Sequence, residues 1–155
     1  MTVSIVQRMH AVPMIDIHAP AGTFADPHAL ARAAAAAVKR VEAVPDIPMF
    51  RENTAAFVHE LPAAAISDVD GRSDHVRIQV LTNAGALDRD KQLAVVEQLT
   101  ALVVEAAGDP GLARRTWVLL TEAAPGGWGL WGSAHTTEEL VAAARAEIAS
   151  LKGGA

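Results

Sequence analysis

The sequence contains no cysteine, which excludes disulfide bonds, thiolate catalysis and cysteine-ligated metal sites. It also lacks a basic stripe, because its Lys and Arg residues are scattered and the formal net charge is -5. A protein that binds a nucleic-acid backbone needs clustered positive charge. We therefore expect no nucleic-acid partner, and any covalent chemistry must come from a nucleophile other than cysteine.

Long apolar runs are absent as well. The longest, such as residues 33–38, are far shorter than the roughly 20 residues of a membrane-spanning helix. The N-terminus has no cationic segment followed by an apolar core, as a secretory leader would. Half of the 155 residues are hydrophobic, which is enough apolar surface for one folded domain. We expect a cytoplasmic protein without a membrane partner.

Several common site motifs are missing or incomplete. There is no Gly-x-Ser-x-Gly elbow for a serine nucleophile. The six histidines form no close helical pair and have no cysteine partners, so we predict no metal site. The segment from Gly127 to Gly132 matches Gly-x-Gly-x-x-Gly, but too little chain follows for a dinucleotide-binding unit. We predict a hairpin or turn there and no cofactor.

An internal repeat organises the chain. Residues 15–22 and residues 78–85 each form an alternating apolar segment that ends at an Ala-Gly turn. The correspondence continues to residues 57–60 and 119–122, which gives a period of ~62 residues. Each copy reads strand, helix, strand. Since crossovers of this kind are right-handed, the two strands of each copy should be parallel.

Capping residues locate three helices. Asp26, followed by a proline, predicts the start of the first helix, and Asp88 predicts the start of the second. Thr136 and Glu139 form a capping box for a last helix. Asp16 and His18 share one face of the first strand, which predicts either a pocket near Pro13 or, as we expect, a solvated or inter-subunit face.

These elements predict an α+β fold. Tandem β-α-β units should form a four-stranded mixed sheet with two helices on one face, plus a C-terminal helix. The other face of the sheet then needs a cover, which predicts oligomerisation. The predicted single domain spans residues 1–155 and comprises an N-terminal extension (1–12), the first copy (13–62), a connection (63–75), the second copy (76–132) and the C-terminal helix (133–155).

This arrangement resembles the tautomerase superfamily, whose type member is 4-oxalocrotonate tautomerase. The resemblance rests on the strand at residues 13–17, the Ala-Gly turn, the strand end at residues 120–122 and the glycine-rich segment at residues 125–129. Members with fused copies include malonate semialdehyde decarboxylase and cis-3-chloroacrylate dehalogenase, which are trimers. The resemblance therefore implies a homotrimer.

The resemblance also implies site residues. The superfamily uses an amino-terminal proline as general base or acid, and Pro13 matches that proline. Trp128 matches the active-site aromatic, and Arg40, Arg114 or Arg115 is the candidate that would polarise the substrate. Two explanations stay open for Val12, which precedes Pro13: either the chain starts at Val12 and loses it, or residues 1–12 are a genuine extension.

At other positions the chain departs from the superfamily. Thr23 and Ala86 stand where the superfamily often has an arginine after the turn glycine. Near the position where the superfamily has an arginine in the second strand, this chain has Trp117. The resemblance implies an isomerase that acts on a small carbonyl or enol acid by proton transfer. The alternatives are a hydratase, dehalogenase or decarboxylase of the same superfamily, or a non-catalytic oligomeric member.

Overall fold

A computed structural model describes residues 12–153 of the chain. The predicted N-terminal extension lies outside the described residues except for Val12. The strands are β1 (Met14–Pro20), β2 (Ala55–Leu61), β3 (Val76–Thr82), β4 (Thr116–Glu122), β5 (Trp128–Leu130) and β6 (Ser133–His135). The helices are α1 (Pro27–Glu42), α2 (Pro48–Glu52), α3 (Arg89–Ala107) and α4 (Thr137–Gly153).

The main sheet has four strands in the order β2-β1-β3-β4. Strands β1 and β2 are parallel, as are β3 and β4, whereas β1 and β3 are antiparallel. The predicted mixed sheet is therefore confirmed. Because of this topology, β1 and β2 begin at the end of the sheet where β3 and β4 finish. We call this the Pro13 end, and the opposite one the far end.

Helices α1 and α3 pack on one face of the sheet and enclose the first apolar core. Residues of β1 alternate, so that Ile15 and Ile17 point to the helices while Asp16 and His18 do not. Ile78 and Val80 of β3 occupy the same layer. Burial of each such side chain contributes roughly 1.5–3 kcal/mol, so this layer dominates the stability of the repeat.

The predicted caps are confirmed. The Asp26 side chain accepts a hydrogen bond from the Ala29 backbone N–H at 3.0 Å, which satisfies a free donor of the first turn of α1. Asp88 caps α3 in the same way. The Glu139 backbone N–H donates to the Thr136 hydroxyl at 3.2 Å, as the capping box predicts. Short-range signals therefore determine where these helices begin.

A second apolar core, which was not predicted, lies at the Pro13 end. It combines Val12 with Trp128, α2 and α4, and it contacts Met14 and Leu81 on the sheet face that α1 and α3 leave uncovered. A hydrogen bond from the Met49 backbone N–H to the Glu147 carboxylate, at 3.1 Å, joins α2 to α4. This core therefore covers part of the second face of the sheet.

The glycine-rich segment forms the predicted hairpin. Strands β5 and β6 pair antiparallel, and the turn residues Trp131 and Gly132 both have positive φ. Such a two-residue turn matches the twist of a hairpin. No helix within residues 12–153 is long and apolar enough to cross a membrane.

Candidate active site and cationic groove

Pro13 lies buried directly before β1. Its carbonyl oxygen accepts a hydrogen bond from the Ala55 backbone N–H at 3.4 Å, which connects it to the start of β2. The nitrogen of Pro13 is part of the peptide bond to Val12, and the Val12 side chain is only 1% exposed in the second core. In this chain Pro13 therefore has neither a free amine nor open space before it.

Trp128 is 6% exposed and belongs to the same apolar cluster as Val12. The structure thus brings Trp128 close to the residue that precedes Pro13. Phe50 of α2 and Leu140 of α4 complete the surroundings of this cluster. Trp128 consequently packs against the chain's own side chains, as a core tryptophan does.

Three buried polar residues lie at the Pro13 end: Glu42 at the end of α1, Thr82 at the end of β3 and Asn83 directly after it. Glu42 is 2% exposed, and neither of its carboxylate oxygens has a hydrogen-bond partner among the described residues. Burial raises the pKa of Glu42 to about 8, although the charge of Lys91 opposes this rise. The carboxyl group is therefore largely protonated at neutral pH.

Sequence reasoning missed Glu42. It occupies a position in the apolar stripe of α1, one turn after Val38, where a leucine or valine is expected. That break in the stripe was the available signal. Lys91 approaches from α3 and donates to the Glu42 backbone carbonyl at 3.2 Å, so it does not neutralise the carboxylate directly.

Arg40 lies on the outer flank of α1, in a cavity of about 540 Å³ between α1 and the edge strand β2. We call this cavity the cationic groove. It is lined by His28, Ala31, Arg32, Ala35, Ala36, Lys39, Arg40, Arg51, Thr54, Ala55 and Ala56. The groove reaches the Pro13 end through Ala55, which contacts the Pro13 carbonyl.

One carboxylate balances part of the positive charge of the cationic groove. The Asp46 carboxylate pairs with Lys39 at 2.9 Å and with Arg51 at 3.2 Å. Hydrogen bonds from Lys39 and Arg51 lower the pKa of Asp46 below its ordinary value. Arg32 and Arg40 form no ion pair with any residue from 12 to 153.

Arg115 lies at the far end of the sheet, away from Pro13. Its guanidinium donates to the Asp109 carboxylate at 2.6 Å and is 3.2 Å from the Asp74 carboxylate. Its backbone carbonyl accepts a hydrogen bond from Val76, the first residue of β3. Within one chain, Arg115 is therefore not brought together with Pro13 or Trp128. Arg40 is separate from them as well, because it lines a groove whose lining includes neither Pro13 nor Trp128.

The second face of the sheet carries a polar cluster beside apolar side chains. His59 Nε2 lies 2.6 Å from the Asp16 carboxylate, and the His18 ring stacks on His59 with centroids 4.3 Å apart. Burial, together with the charges of His59 and Arg77, lowers the pKa of His18. Asp16 therefore pairs with a residue of β2 and not with the Pro13 region.

Large apolar side chains surround this cluster on the same face. Phe57 is 54% exposed, Trp117 49% and Leu119 46%. Cross-strand pairing places Phe57 next to Asp16, and Leu119 next to Gln79. So much exposed apolar surface on one sheet face is typical of an interaction surface.

Comparison with solved structures identifies the architecture. Pt0534 inactivated by 2-oxo-3-pentynoate matches 82% of this chain and 98% of its own, with a TM-score of 0.68 and 18% identity. Native fused 4-OT matches 82% and 98%, with a TM-score of 0.65 and 20% identity. The chain has the tautomerase-superfamily fold. The predicted resemblance is thereby confirmed for the fold.

A third match adds another branch of this fold. N1, a member of the cis-3-chloroacrylic acid dehalogenase family, matches 81% of this chain and 87% of its own, with a TM-score of 0.63 and 18% identity. No protein-family model and no curated protein matches the sequence. The tautomerase fold is therefore shared at low identity, and the roles of Pro13, Trp128, Arg40 and Arg115 stay predictions.

Proposed function

We propose that this chain is an enzyme of the tautomerase superfamily that acts on a small carbonyl or enol acid by proton transfer, with Pro13 as the base. The observation that carries the proposal is the shared cluster of Val12 and Trp128. It sets the residue directly before Pro13 beside the hairpin aromatic, and Pro13 and Trp128 are the two positions that the sequence resemblance assigns to the site.

The proposed chemistry depends on whether the Pro13 nitrogen is a free amine or an amide. A free α-amino group titrates near ~8, and an apolar environment lowers its pKa towards neutrality, where it can accept a proton. An amide nitrogen has no such basic lone pair. A chain that begins at Pro13 would also lack the Val12 side chain, which would open space beside the amine and Trp128.

Arg40 supplies the positive charge that such a substrate requires. It lies in the cationic groove, which extends to Ala55 beside Pro13. Pt0534, which shares the fold, is inactivated by 2-oxo-3-pentynoate, and a 2-oxo acid of that class fits the proposed substrate. Arg115 stays a prediction that requires a neighbouring copy, since it lies at the far end of its own chain.

Activity of a variant that begins at Pro13 tests the proposal. We expect this variant to convert phenylenolpyruvate or 2-hydroxymuconate, with one group titrating near neutrality in the pH-rate profile. The 155-residue chain, in which Val12 precedes Pro13, should show little or no activity. The matched control begins at the same position and carries Pro13→Ala. If the Pro13 variant is folded and inert, or no more active than this control, the proposal is wrong.

A non-catalytic oligomeric member is the second candidate, and the burial of Val12 favours it. In the chain that retains Val12, this side chain is buried in the cluster that contains Trp128. Intact-mass measurement of natively expressed protein separates the candidates. A native start at Pro13 supports the enzyme, whereas a native chain that retains Val12 supports the binding protein.

We also propose a cytoplasmic homotrimer that buries the second face of the sheet. Phe57, Trp117 and Leu119 are the exposed apolar residues that such an interface would cover. Fused 4-OT, which shares the fold, forms a symmetric trimer.

Light scattering should give a trimer for the wild type and a smaller species for Leu119→Arg. Leu93→Arg is the control, since Leu93 of α3 is also exposed and α3 packs on the opposite face of the sheet. A wild-type monomer at micromolar concentration would refute this.

A further inference from the structure

We infer that a histidine cluster on the second face of the sheet makes the association of copies of this chain sensitive to pH, so that they assemble at neutral pH and separate in acid. The cluster consists of Asp16, His18, His59 and Arg77. This pH dependence rests on the homotrimer proposed above, because it concerns the conditions under which that trimer is stable.

The two imidazole rings of the cluster lie face to face. His18 and His59 are directly paired across β1 and β2. Their rings are stacked, with centroids 4.3 Å apart and an interplanar angle of 8°. Two protonated rings at this distance repel each other. The stack therefore favours a state in which at most one ring is charged.

The charges around the stack cannot compensate two protonated rings. The Asp16 carboxylate lies 2.6 Å from His59 Nε2 and can compensate one of them. Arg77 is paired with His18 across β1 and β3, and it donates to the Gln79 side chain at 3.2 Å. It forms no ion pair within residues 12–153. With both rings protonated, the rings and Arg77 carry three positive charges against the single negative charge of Asp16.

His18 is the member of the cluster whose protonation is opposed most clearly. Its Nδ1 atom is buried and has no hydrogen-bond partner among the described residues. Burial lowers the pKa of His18, the positive charges of His59 and Arg77 lower it further, and the Asp16 carboxylate opposes the shift. His18 is therefore uncharged at neutral pH, and it gains its proton in acid.

Exposed apolar side chains flank the cluster, so a copy that covers them also covers the cluster. Phe57 lies beside His59 on β2 with ring centroids 6.5 Å apart, and Trp117 is paired with Arg77 across β3 and β4. Both side chains are half exposed. Removal of water from this face penalises the charged form of His18 further.

The direction of the pH dependence follows from this penalty. The pKa of His18 is then lower in the assembled state than in the separate copy, so assembly releases a proton in acid. Above pH 6.5, the ordinary value of histidine, the ring is neutral in both states and assembly is unaffected. Below that pH the separate copies bind the proton and the trimer should weaken.

Sedimentation velocity of a dilution series at pH 8 and pH 5, at constant ionic strength, tests the inference. We expect a wild-type trimer at pH 8, and a concentration for half-dissociation that is roughly tenfold or more higher at pH 5. His18→Gln cannot carry the second ring charge and should lose most of this difference. Asp16→Asn removes the compensating carboxylate and should shift dissociation to higher pH. A purely structural role of these side chains would instead weaken both variants equally at the two pH values.

His28→Gln is the matched control, because His28 is exposed on α1, which packs on the opposite face of the sheet. It should keep the pH dependence of the wild type. Equal trimer stability at pH 5 and pH 8, or the same loss of pH dependence in His28→Gln as in His18→Gln, would overturn the inference and leave the trimer proposal intact. A monomer at pH 8 would refute the trimer and the inference with it.

Circular dichroism at pH 5 reports whether the separated copies stay folded. We expect the helical signal to persist when the trimer dissociates. Loss of the helical signal together with the trimer would overturn the inference, since acid would then unfold the chain instead of separating folded copies.

Discussion

The two copies of the repeat share one backbone plan but differ in what their helices carry. Three buried positions of α1 correspond to three buried positions of α3 at a constant separation along the chain: Ala34 with Val95, Val38 with Leu99, and Glu42 with Val103. Two of these pairs are apolar in both copies. At the third, a buried carboxyl group in the first copy replaces a valine in the second.

The outer flanks of the helices differ in the same way. At the same separation, Arg32 of the cationic groove corresponds to Leu93, and Arg40 corresponds to Ala101. Leu93 is half exposed. The groove is thus a property of the first copy and not of the fold. The packed core of a repeat constrains its residues, whereas the flanks of its helices can differ freely.

The largest effect is expected from the hairpin that follows only the second copy. Trp128→Ala should destabilise the protein by about 4 kcal/mol, because it removes a buried aromatic side chain from the second core. Trp131→Ala, on the same hairpin, is the control, since Trp131 is 62% exposed. Thermal melting measures both variants. Equal melting temperatures for Trp128→Ala and the wild type would show that the second core contributes little.

The next effect concerns Glu42 and depends on pH. Its folded pKa of about 8 lies above the ordinary value of 4.5, so the folded state binds the proton more tightly than the unfolded state. The stability gained from this proton is complete below pH 4.5 and is lost as the pH rises to about 8. Glu42→Gln cannot ionise and should stabilise the protein by about 3 kcal/mol at pH 9, with little effect at pH 5.

Urea unfolding at pH 5, 7 and 9 measures this dependence. The reciprocal variant Val103→Glu places a carboxyl group at the matching position of the second copy and should introduce a similar loss at high pH. If the stability of the wild type changes with pH in the same way as that of Glu42→Gln, then Glu42 ionises without cost and the proposed difference between the copies fails.

The smallest expected effect concerns the difference between the outer flanks of α1 and α3. Asp46→Asn removes the carboxylate that pairs with Lys39 and Arg51, and so leaves two more cations of the groove free. Binding of adipate, a linear dicarboxylate, measured by isothermal titration calorimetry, should strengthen by a few fold, because the competing charge is lost. Asp90→Asn is the control, because Asp90 is exposed in the first turn of α3 and lies outside the groove. Unchanged adipate affinity in Asp46→Asn would indicate that these cations do not contact the ligand.

Local signals predicted the repeat, the caps and the hairpin. Asp26, Asp88 and Thr136 act within one helical turn, so the sequence alone reveals them. The second core was not predictable in this way, because it joins segments from opposite ends of the chain. The candidate site was also predictable only in part. Pro13 and Trp128 could be named from the resemblance, but the burial of Glu42 depends on how α1 packs against α3.

Val12 contacts a cluster that includes Leu140 and Val141 of α4, so the second core closes a loop of almost the whole described chain. Closure of so long a loop costs more chain entropy than closure within one copy. Contacts of large sequence separation also form slowly. We therefore expect α4 to dock last during folding and to open first in the native state. Its backbone amides should then exchange with solvent deuterium faster than those of α1 and α3.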